Sequence, residues 1–515
     1  MLFLNKIALN IFKKRLIAID KVRKNPAEAQ ERIFHSLVKA GEHTEYGKKY
    51  NFNKIRNIED FRNYVPISDY TVLQPYINRM RRGENNILWN TPVKWFAKSS
   101  GTTASKSKFI PVSNECLQHC HFSGTKDVTL QYLLNNPESK LLLGKSLTLG
   151  GSQRIDENNS KVKYGDLSAV MIQNSPWYAE LARTPSKSIA LTPDFDEKTK
   201  AIAKYSSKQN VISFAGVPSW NLVLMNRILE YSGKKHLNEL WSNLEVFFHG
   251  GVAFGPYVEQ FRRIIPSETM RYMETYNASE GFFALQDDVK DDAMLLLADN
   301  SVFFEFMPMS EYGNPSPKVY SLAEVQTGIN YALIISTNAG LWRYLIGDTI
   351  KFTSLFPHKI KITGRTAHYI NVFGEELIVG NAEEALKTTC EETGAIVSEY
   401  TVAPVYMSET TAGGHEWLIE FDTCPADIEQ FADILDKSLC TVNSDYEAKR
   451  FNNITLSRLK IKVLPKGTFI KWMESKGKLG GQNKIPRLSN TREYTDQLLR
   501  IVNTRNKNNP IIIKE

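Results

Sequence analysis

The chain has 515 residues, too many for one ordinary core, and its 42% hydrophobic and 23% charged residues with 29 Gly and 21 Pro exclude a disordered or fibrous protein. Sixty-four Lys and Arg against 56 Asp and Glu give a net charge of +8, far below the density of a dedicated nucleic-acid binder. Five cysteines (Cys116, Cys120, Cys390, Cys424 and Cys440), an odd number, argue against a disulfide framework and for a reducing, cytoplasmic setting.

The first predicted elements are helical. MLFLNKIALNIFKKRLIAI is apolar but broken by Lys6 and by Lys13, Lys14 and Arg15, so it reads as an amphipathic helix rather than a signal peptide. No uninterrupted apolar run reaches about 18 residues, so no membrane span is expected. Asn25, Pro26 and Glu28 supply a cap, a first-turn proline and a capping-box acid ahead of apolar Ile33, Phe34, Leu37 and Val38, with Gly41 following. The positive charge is concentrated early: Met1 to Arg56 holds thirteen basic and five acidic residues, and Asn78 to Lys108 seven and one. Such stretches attract a small polyanion such as ATP; a solvated basic face is the plain alternative for the first.

The middle of the chain changes character. Val211 to Phe214, Leu244 to Phe248, Met270 to Tyr276 and Tyr331 to Ile335 are short aromatic or β-branched runs without alternation, as expected of buried, parallel strands, and helical stretches such as Leu222 to Tyr231 separate them. Leu295 to Leu297 and Val302 to Phe306 flank Ala-Asp-Asn-Ser, a hairpin signal. After Gly364 a smaller α/β unit begins. A helix opened by Asn381 and Glu384 runs to Gly394, strands are expected at Ile396 to Val405, Trp417 to Phe421 and Leu459 to Leu464, and a second helix carries Ile428, Phe431, Ala432, Leu435 and Leu439. A sheet covered by two helices is the expected product.

Several segments could carry chemistry. In Lys98-Ser-Ser-Gly-Thr-Thr-Ala-Ser-Lys-Ser-Lys-Phe-Ile-Pro111, hydroxyl residues around a glycine let N–H and O–H groups converge on phosphate, with Lys106 or Lys108 as a point charge. A flexible Ser/Thr turn is the plain alternative. Gly144-Lys145-Ser146 mimics the usual phosphate loop but lacks its earlier glycine, Ser139 standing there, and is read as a decoy. Thr275-Tyr-Asn-Ala-Ser-Glu-Gly-Phe282 ends in a carboxylate that could hold Mg²⁺ beside a triphosphate, or is a simple strand-to-loop turn. Gly340-Leu-Trp-Arg-Tyr-Leu-Ile-Gly-Asp348 offers an Asp able to accept two ribose hydroxyls, though Gly-Asp is also common in turns. Gly480-Gly-Gln-Asn-Lys-Ile-Pro-Arg487 presents Lys484 on a glycine stretch.

The order of these motifs resembles the adenylate-forming superfamily and, more closely, the auxin-responsive acyl acid amido synthetases of the Gretchen Hagen family. Ser99 to Thr103 with Lys108 and Ile110-Pro111, then Tyr276 to Gly281, then Arg343-Tyr344 with Gly347-Asp348 match its three nucleotide motifs; Glu45-Tyr46-Gly47, Phe214 to Trp220 and Lys484 to Arg487 are similar to further signatures. The resemblance implies an α/β fold with a large multi-sheet N-terminal adenylate-forming domain over residues 1–364, a small mobile α+β C-terminal domain over 365–515, and a hinge near 364–367. It implies ATP and Mg²⁺, a small carboxylic acid made into acyl-AMP, and a small amine, an amino acid above all, that receives the acyl group. By the same resemblance Ser99, Ser100, Gly101, Thr102 and Thr103 cradle phosphates and Lys108 contacts them. Glu280 holds Mg²⁺, Asp348 grips the ribose, Gly250-Gly251 lies along the adenine, and Tyr276, Asn277, Ala278 and Ser279 belong to the nucleotide site. Arg365 begins the hinge and Lys484 swings in to the carboxylate and α-phosphate. Ala104-Ser105 departs from the glycine of many relatives, and Leu345 replaces an arginine common in plant members, so a hormone-like substrate is not implied.

Other readings remain open. An adenylate-forming enzyme that passes its acyl group to coenzyme A, and a nucleotide-binding relative without turnover, share most of these motifs. Cys116, His119, Cys120 and His121 have helical spacing compatible with zinc, or are packing behind the phosphate loop. No Gly-x-Ser-x-Gly elbow occurs, which disfavours a serine hydrolase. His249 reads as a strand-end histidine; Trp220 and Trp342 read as core aromatics, either of which could line the acyl pocket, with Trp220 the one put forward.

Overall fold

The computed structural model describes residues 2–99, 108–151, 153–156, 159–251, 254–366, 369–370, 375, 377–406, 413–443, 446–447, 450, 456–476, 485–489 and 491–508. Contacts divide the chain into two units, one of residues 1–252, 260–361 and 480–482 and one of residues 253–259, 362–479 and 483–515.

In the first unit the N-terminal stretch forms two helices, α1 (Leu2–Ile11) and α2 (Lys13–Lys24), where one was expected. They are followed by α3 (Pro26–Gly41), whose buried Phe34, Leu37 and Val38 enter the main core. Asn25 caps α3 differently from the expected box: its side-chain amide donates to Glu28 at 3.0 Å. The signature Glu45-Tyr46-Gly47 has a packing reason, because a Cβ on Gly47 would overlap the Gly41 carbonyl oxygen. Tyr46 beside it is fully buried.

A four-stranded sheet joins β1 (Trp95–Ser99), β2 (Lys108–Val112), β4 (Gln153–Asp156) and β5 (Asn159–Gly165) in the order β2-β1-β5-β4. The large sheet takes β3 (Lys145–Thr148), β6 (Arg183–Thr184), β7 (Val211–Gly216), β8 (Val246–His249), β9 (Arg271–Ala278), β10 (Gly281–Gln286), β11 (Met294–Leu296), β12 (Val302–Pro308), β13 (Asn330–Thr337), β14 (Tyr344–Leu355) and β15 (His358–Arg365). Its order is β12-β13-β14-β15-β11-β10-β9-β8-β7-β3-β6. The decoy Lys145 opens β3, and its ammonium bonds the Leu181 carbonyl at 2.5 Å, so it is a strand residue.

Two strand expectations are corrected. Leu295 to Leu297 and Val302 to Phe306 do form strands but not a hairpin: β11 pairs with β10 and β15, and β12 with β13. The run at Tyr331 to Ile335 is antiparallel to both neighbours, while β7, β8 and β9 are parallel as expected. The misreading has a cause in burial. Every residue of β12 and all but the first of β13 are buried, which erases the alternation that usually marks antiparallel strands.

The second unit holds a β-ladder of β16 (Tyr369–Ile370) with β17 (Leu377–Ile378), and a three-stranded sheet of β18 (Ile396–Val405), β19 (Gly414–Thr423) and β20 (Lys460–Leu464). The helices Val379–Thr393 and Ile428–Val442 cover one face through Leu386, Phe431, Leu435 and Leu439. The expected pair of helices is therefore half of the layer. Leu418, pointing away from Trp417 and Ile419, packs with Phe469, Trp472 and Leu498 of the helices Thr468–Ser475 and Glu493–Asn508. Asn381 lies inside the first helix rather than capping it, and its side-chain oxygen accepts the Ile378 N–H at 3.4 Å.

Candidate active site

Consecutive parallel strands deliver their carboxyl ends to one edge, where open α/β sheets bind ligands. The ends of β7, β8 and β9 carry Gly216-Val217, Gly250-Gly251 and Ser279-Glu280 respectively. Gly250 is required by close approach: a Cβ there would overlap the Thr275 carbonyl oxygen of β9. Gly251 turns with φ +84° and faces Val217, the residue before the helix Pro218–Ser232. The chain after β8 is thus bare backbone wedged between the ends of β7 and β9.

One residue beyond Thr275 on β9, the Tyr276 hydroxyl donates to Asp348 Oδ2 at 2.6 Å. Tyr276 belongs to β9 and Asp348 to β14, strands that are not sheet neighbours, so this side-chain bond joins the second and third sequence motifs directly. Tyr276 is buried and stands edge-on to Phe283, which fixes the ring that holds the carboxylate.

Asn277 and Ala278 complete β9, and Ser279 and Glu280 form the two-residue turn into β10, where Ala278 pairs with Gly281. Ser279 and Glu280 are both buried. Glu280 lies near Cys116: hydrogen bonding to Cys120 and burial push the Cys116 thiol well up, and the Glu280 charge adds to the rise. The Asn277 side chain accepts from His121 Nδ1 at 3.1 Å, with Met171 on its other side. Burial pushes the His121 imidazole down to about 4, so the ring is neutral and donates through Nδ1.

Ser99 and Lys108 face each other across the antiparallel hairpin of β1 and β2. Ser100, Gly101, Thr102 and Thr103, with Ala104-Ser105 and Lys106, lie outside the described residues; they connect these two strands. The base of the hairpin is braced. The Phe109 N–H donates to the Tyr70 hydroxyl at 2.7 Å, the Arg81 guanidinium lies 3.7 Å from the Phe109 ring centre, and Arg81 pairs with buried Asp156 at 2.6 Å. Lys108 Nζ is 5.7 Å from the Tyr70 ring centre. After β2, Ser113 caps the helical turn that carries Cys116, the residue affected by Glu280.

Trp220 is half-buried in the first turn of the helix after β7. Trp342 is a core aromatic, donating to the Leu88 carbonyl at 2.9 Å and packed edge-on to Phe52. Arg343, inside the third motif, belongs to the framework, since it is buried at φ +42° and pairs with buried Glu305 at 2.9 Å. His249 is buried and pushed down to about 3, which leaves it neutral. Among the described residues no cluster of three or more His, Cys, Asp or Glu could hold a metal, so the zinc reading falls. Cys120 instead accepts the Phe282 N–H at 3.2 Å. No described helix is long and apolar enough to cross a membrane.

In the second unit Arg365 ends β15, and Lys484 lies outside the described residues. The signature after it is anchored. Thr401 donates to the Pro486 carbonyl at 2.6 Å, the Val402 N–H to the Arg487 carbonyl at 2.8 Å, and Arg487 pairs with Glu399 over the Tyr400 ring. The His121–Asn277 and Tyr276–Asp348 contacts are what sequence reasoning missed; a histidine 156 residues from its partner leaves no local signal of the pairing.

Comparisons with known proteins agree across the chain. Residues 15–270, 295–365 and 380–493 match the family models described as GH3 family N-terminal domain, GH3 family central domain and GH3 family C-terminal domain. The chain is 23% identical to the indole-3-acetic acid-amido synthetase GH3.4 of Arabidopsis thaliana over 92% of this chain and 91% of that one. It is 22% identical to the jasmonoyl–L-amino acid synthetase JAR4 of Nicotiana attenuata over 91% and 92%. Its fold is that of the GH3.15 acyl acid amido synthetase (TM-score 0.76, 16% identity, 95% of each chain) and, more distantly, of a 2-hydroxyisobutyryl-CoA ligase (TM-score 0.59, 13% identity, 94% of each).

Proposed function

Because the chain belongs to the GH3 family, whose amido synthetases adenylate carboxylic acids and conjugate them to amino acids, we propose that this ATP-dependent ligase does so at the carboxyl ends of β8 and β9. The observation that supports this placement is the Tyr276–Asp348 hydrogen bond, one residue along β9 from the Thr275 carbonyl against which Gly250 packs. The flat glycine backbone accepts the adenine, and Asp348, oriented by Tyr276, accepts the ribose hydroxyls. Ser99, Ser100, Gly101, Thr102 and Thr103 present donors to the phosphates, and Lys108 adds a cation. Asn277, held by neutral His121, and Ala278 set the path of β9 into the turn. Trp220 borders the acyl group.

The reaction is governed by charge. A carboxylate oxygen bonds to the α-phosphorus as the bond to pyrophosphate breaks, so two anions must approach and cations must offset their repulsion. Lys484 supplies one at the reacting groups. The acyl carbon of the resulting mixed anhydride is then attacked by an uncharged amine, AMP leaves, and the amine loses a proton as the amide forms. Movement of the domain of residues 365–515 about a hinge near 364–367, where Arg365 lies, separates the water-excluded first step from the second, which must admit the amine.

Mg²⁺ fits the donors present: Glu280 offers a single hard-oxygen ligand, and the absence of a three-carboxylate cage among the described residues suits an ion that arrives on the triphosphate. Bound there, it would offset phosphate charge.

The test is product mass. Incubation with ATP and a panel of carboxylic acids, with amino acids or coenzyme A supplied separately, is expected to yield AMP, pyrophosphate and an amide. A thioester with coenzyme A and no amide would overturn the choice of acceptor, and binding of ATP with no pyrophosphate release from any acid would overturn catalysis.

A further inference from the structure

We propose that α1 and the first turns of α2 form a docking face for an anionic lipid surface. Their inner side is fastened to the first unit. The Asn5 amide donates to the Pro137 and Ser139 carbonyls, both at 2.8 Å, Arg15 pairs with buried Asp127 and with Asp299, and Ile19 and Val22 are buried. The helices are therefore presented in a fixed orientation.

Their outer side is apolar. Phe3 (75% exposed), Ile11 (70%) and Ile17 (58%) stand in solvent with Leu4, Ile7 and Phe12. Single exposed apolar residues are ordinary, but six large ones within fifteen residues are a concentration that marks an interaction surface.

Charge selects the occupant. Exposed Lys6, Lys13 and Lys14 are interleaved with the apolar residues, Lys126 lies 5.8 Å from the Phe12 ring centre, and no acidic residue precedes Asp20. A second copy docked by two-fold symmetry would set Lys6, Lys13 and Lys14 against the same lysines of its partner. An anionic bilayer meets both needs at once: the apolar side chains enter the boundary of headgroups and acyl chains while the lysine stems reach back to the phosphates. The attachment is reversible and peripheral, and it is independent of the reading of the nucleotide site.

Sedimentation of the full chain with vesicles tests it. Binding is expected to vesicles of phosphatidylcholine doped with phosphatidylglycerol, to be weak with phosphatidylcholine alone, and to fall in about 1 M salt, where the Debye length shrinks to roughly 3 Å. Lys13→Glu with Lys14→Glu should cost roughly fivefold or more in binding for each charge reversed. Phe3→Ser, Ile7→Ser and Ile11→Ser together should abolish sedimentation with an unchanged thermal midpoint; if that variant melts early, the solvent-facing lysine pair decides the question alone. Equal sedimentation with both kinds of vesicle, indifference to the lysine pair, or absence of vesicle binding, with or without a concentration-dependent dimer, would each overturn the proposal.

Discussion

In the half of the large sheet ordered β6-β3-β7-β8-β9, neighbouring strands are parallel, and three of them release their chains at one edge through Gly216, Gly250 and Ser279. In the other half the pairs β9–β10, β10–β11, β11–β15, β14–β13 and β13–β12 are antiparallel, and the strands are filled with Phe303, Phe304, Phe306 and Ile335 of the main core. In the proposed site the parallel half supplies backbone to the nucleotide, while the antiparallel half supplies stiffness and one carboxylate, Asp348. A junction between the two directions, at β9 and its turn, is where binding groups can be both exposed and rigid.

Asp348→Ala removes the one ligand group proposed for the antiparallel half and carries the largest expected effect. Acid-dependent pyrophosphate exchange should fall roughly 10²-fold while the melting curve stays in place. A comparable loss of stability instead would make Asp348 framework like its neighbours.

Arg343→Met is the opposite case. It strips a partner from Glu305, whose side chain is 1% exposed, and is expected to cost about 3 kcal/mol of stability, the low end for a broken buried pair because Arg62 still lies 3.3 Å from Glu305. Denaturant titration measures it, and exchange per folded molecule should be preserved.

His121 gives the parallel edge a pH signature. Its folded value of about 4 is below the ordinary 6.5, so the unfolded chain takes up the proton first as pH falls. The stability of the neutral ring is complete above pH 6.5 and is lost progressively between 6.5 and 4, by about 3 kcal/mol in all. His121→Asn should flatten that limb of the stability–pH curve relative to the parent; an unchanged slope would remove the burial argument.

Gly250→Ala tests whether close approach or mere flexibility selected the glycine. The added methyl meets the Thr275 carbonyl and should cost about 1–3 kcal/mol through displaced backbone, with weaker ATP binding as the accompanying sign. Normal affinity and stability would mean that β8 and β9 have room between them.

Contiguous features were readable from the chain, and contacts between distant segments were not. The turn after Tyr276, the helix ending at Gly394 and the parallel runs of β7 and β8 are local patterns and appear where their residues place them. The hairpin expected across Leu297 and Val302 fails because short apolar strands pair with any compatible edge, and β11 is held by β10 and β15 from elsewhere in the sequence. Arg343 reads as part of a nucleotide motif only by resemblance; Glu305, 38 residues away, shows its buried role. Burial of both faces likewise hid the antiparallel direction of β13.

The most direct test of the account is a double-mutant cycle on ATP binding, with Tyr276→Phe, Asp348→Ala and the pair measured by titration calorimetry. If Tyr276 acts by orienting Asp348 toward the ribose, Tyr276→Phe alone should weaken ATP roughly threefold to tenfold and add almost nothing once Asp348 is gone. Fully additive losses, or ATP affinity indifferent to both changes, would contradict a single nucleotide site at the ends of β8 and β9.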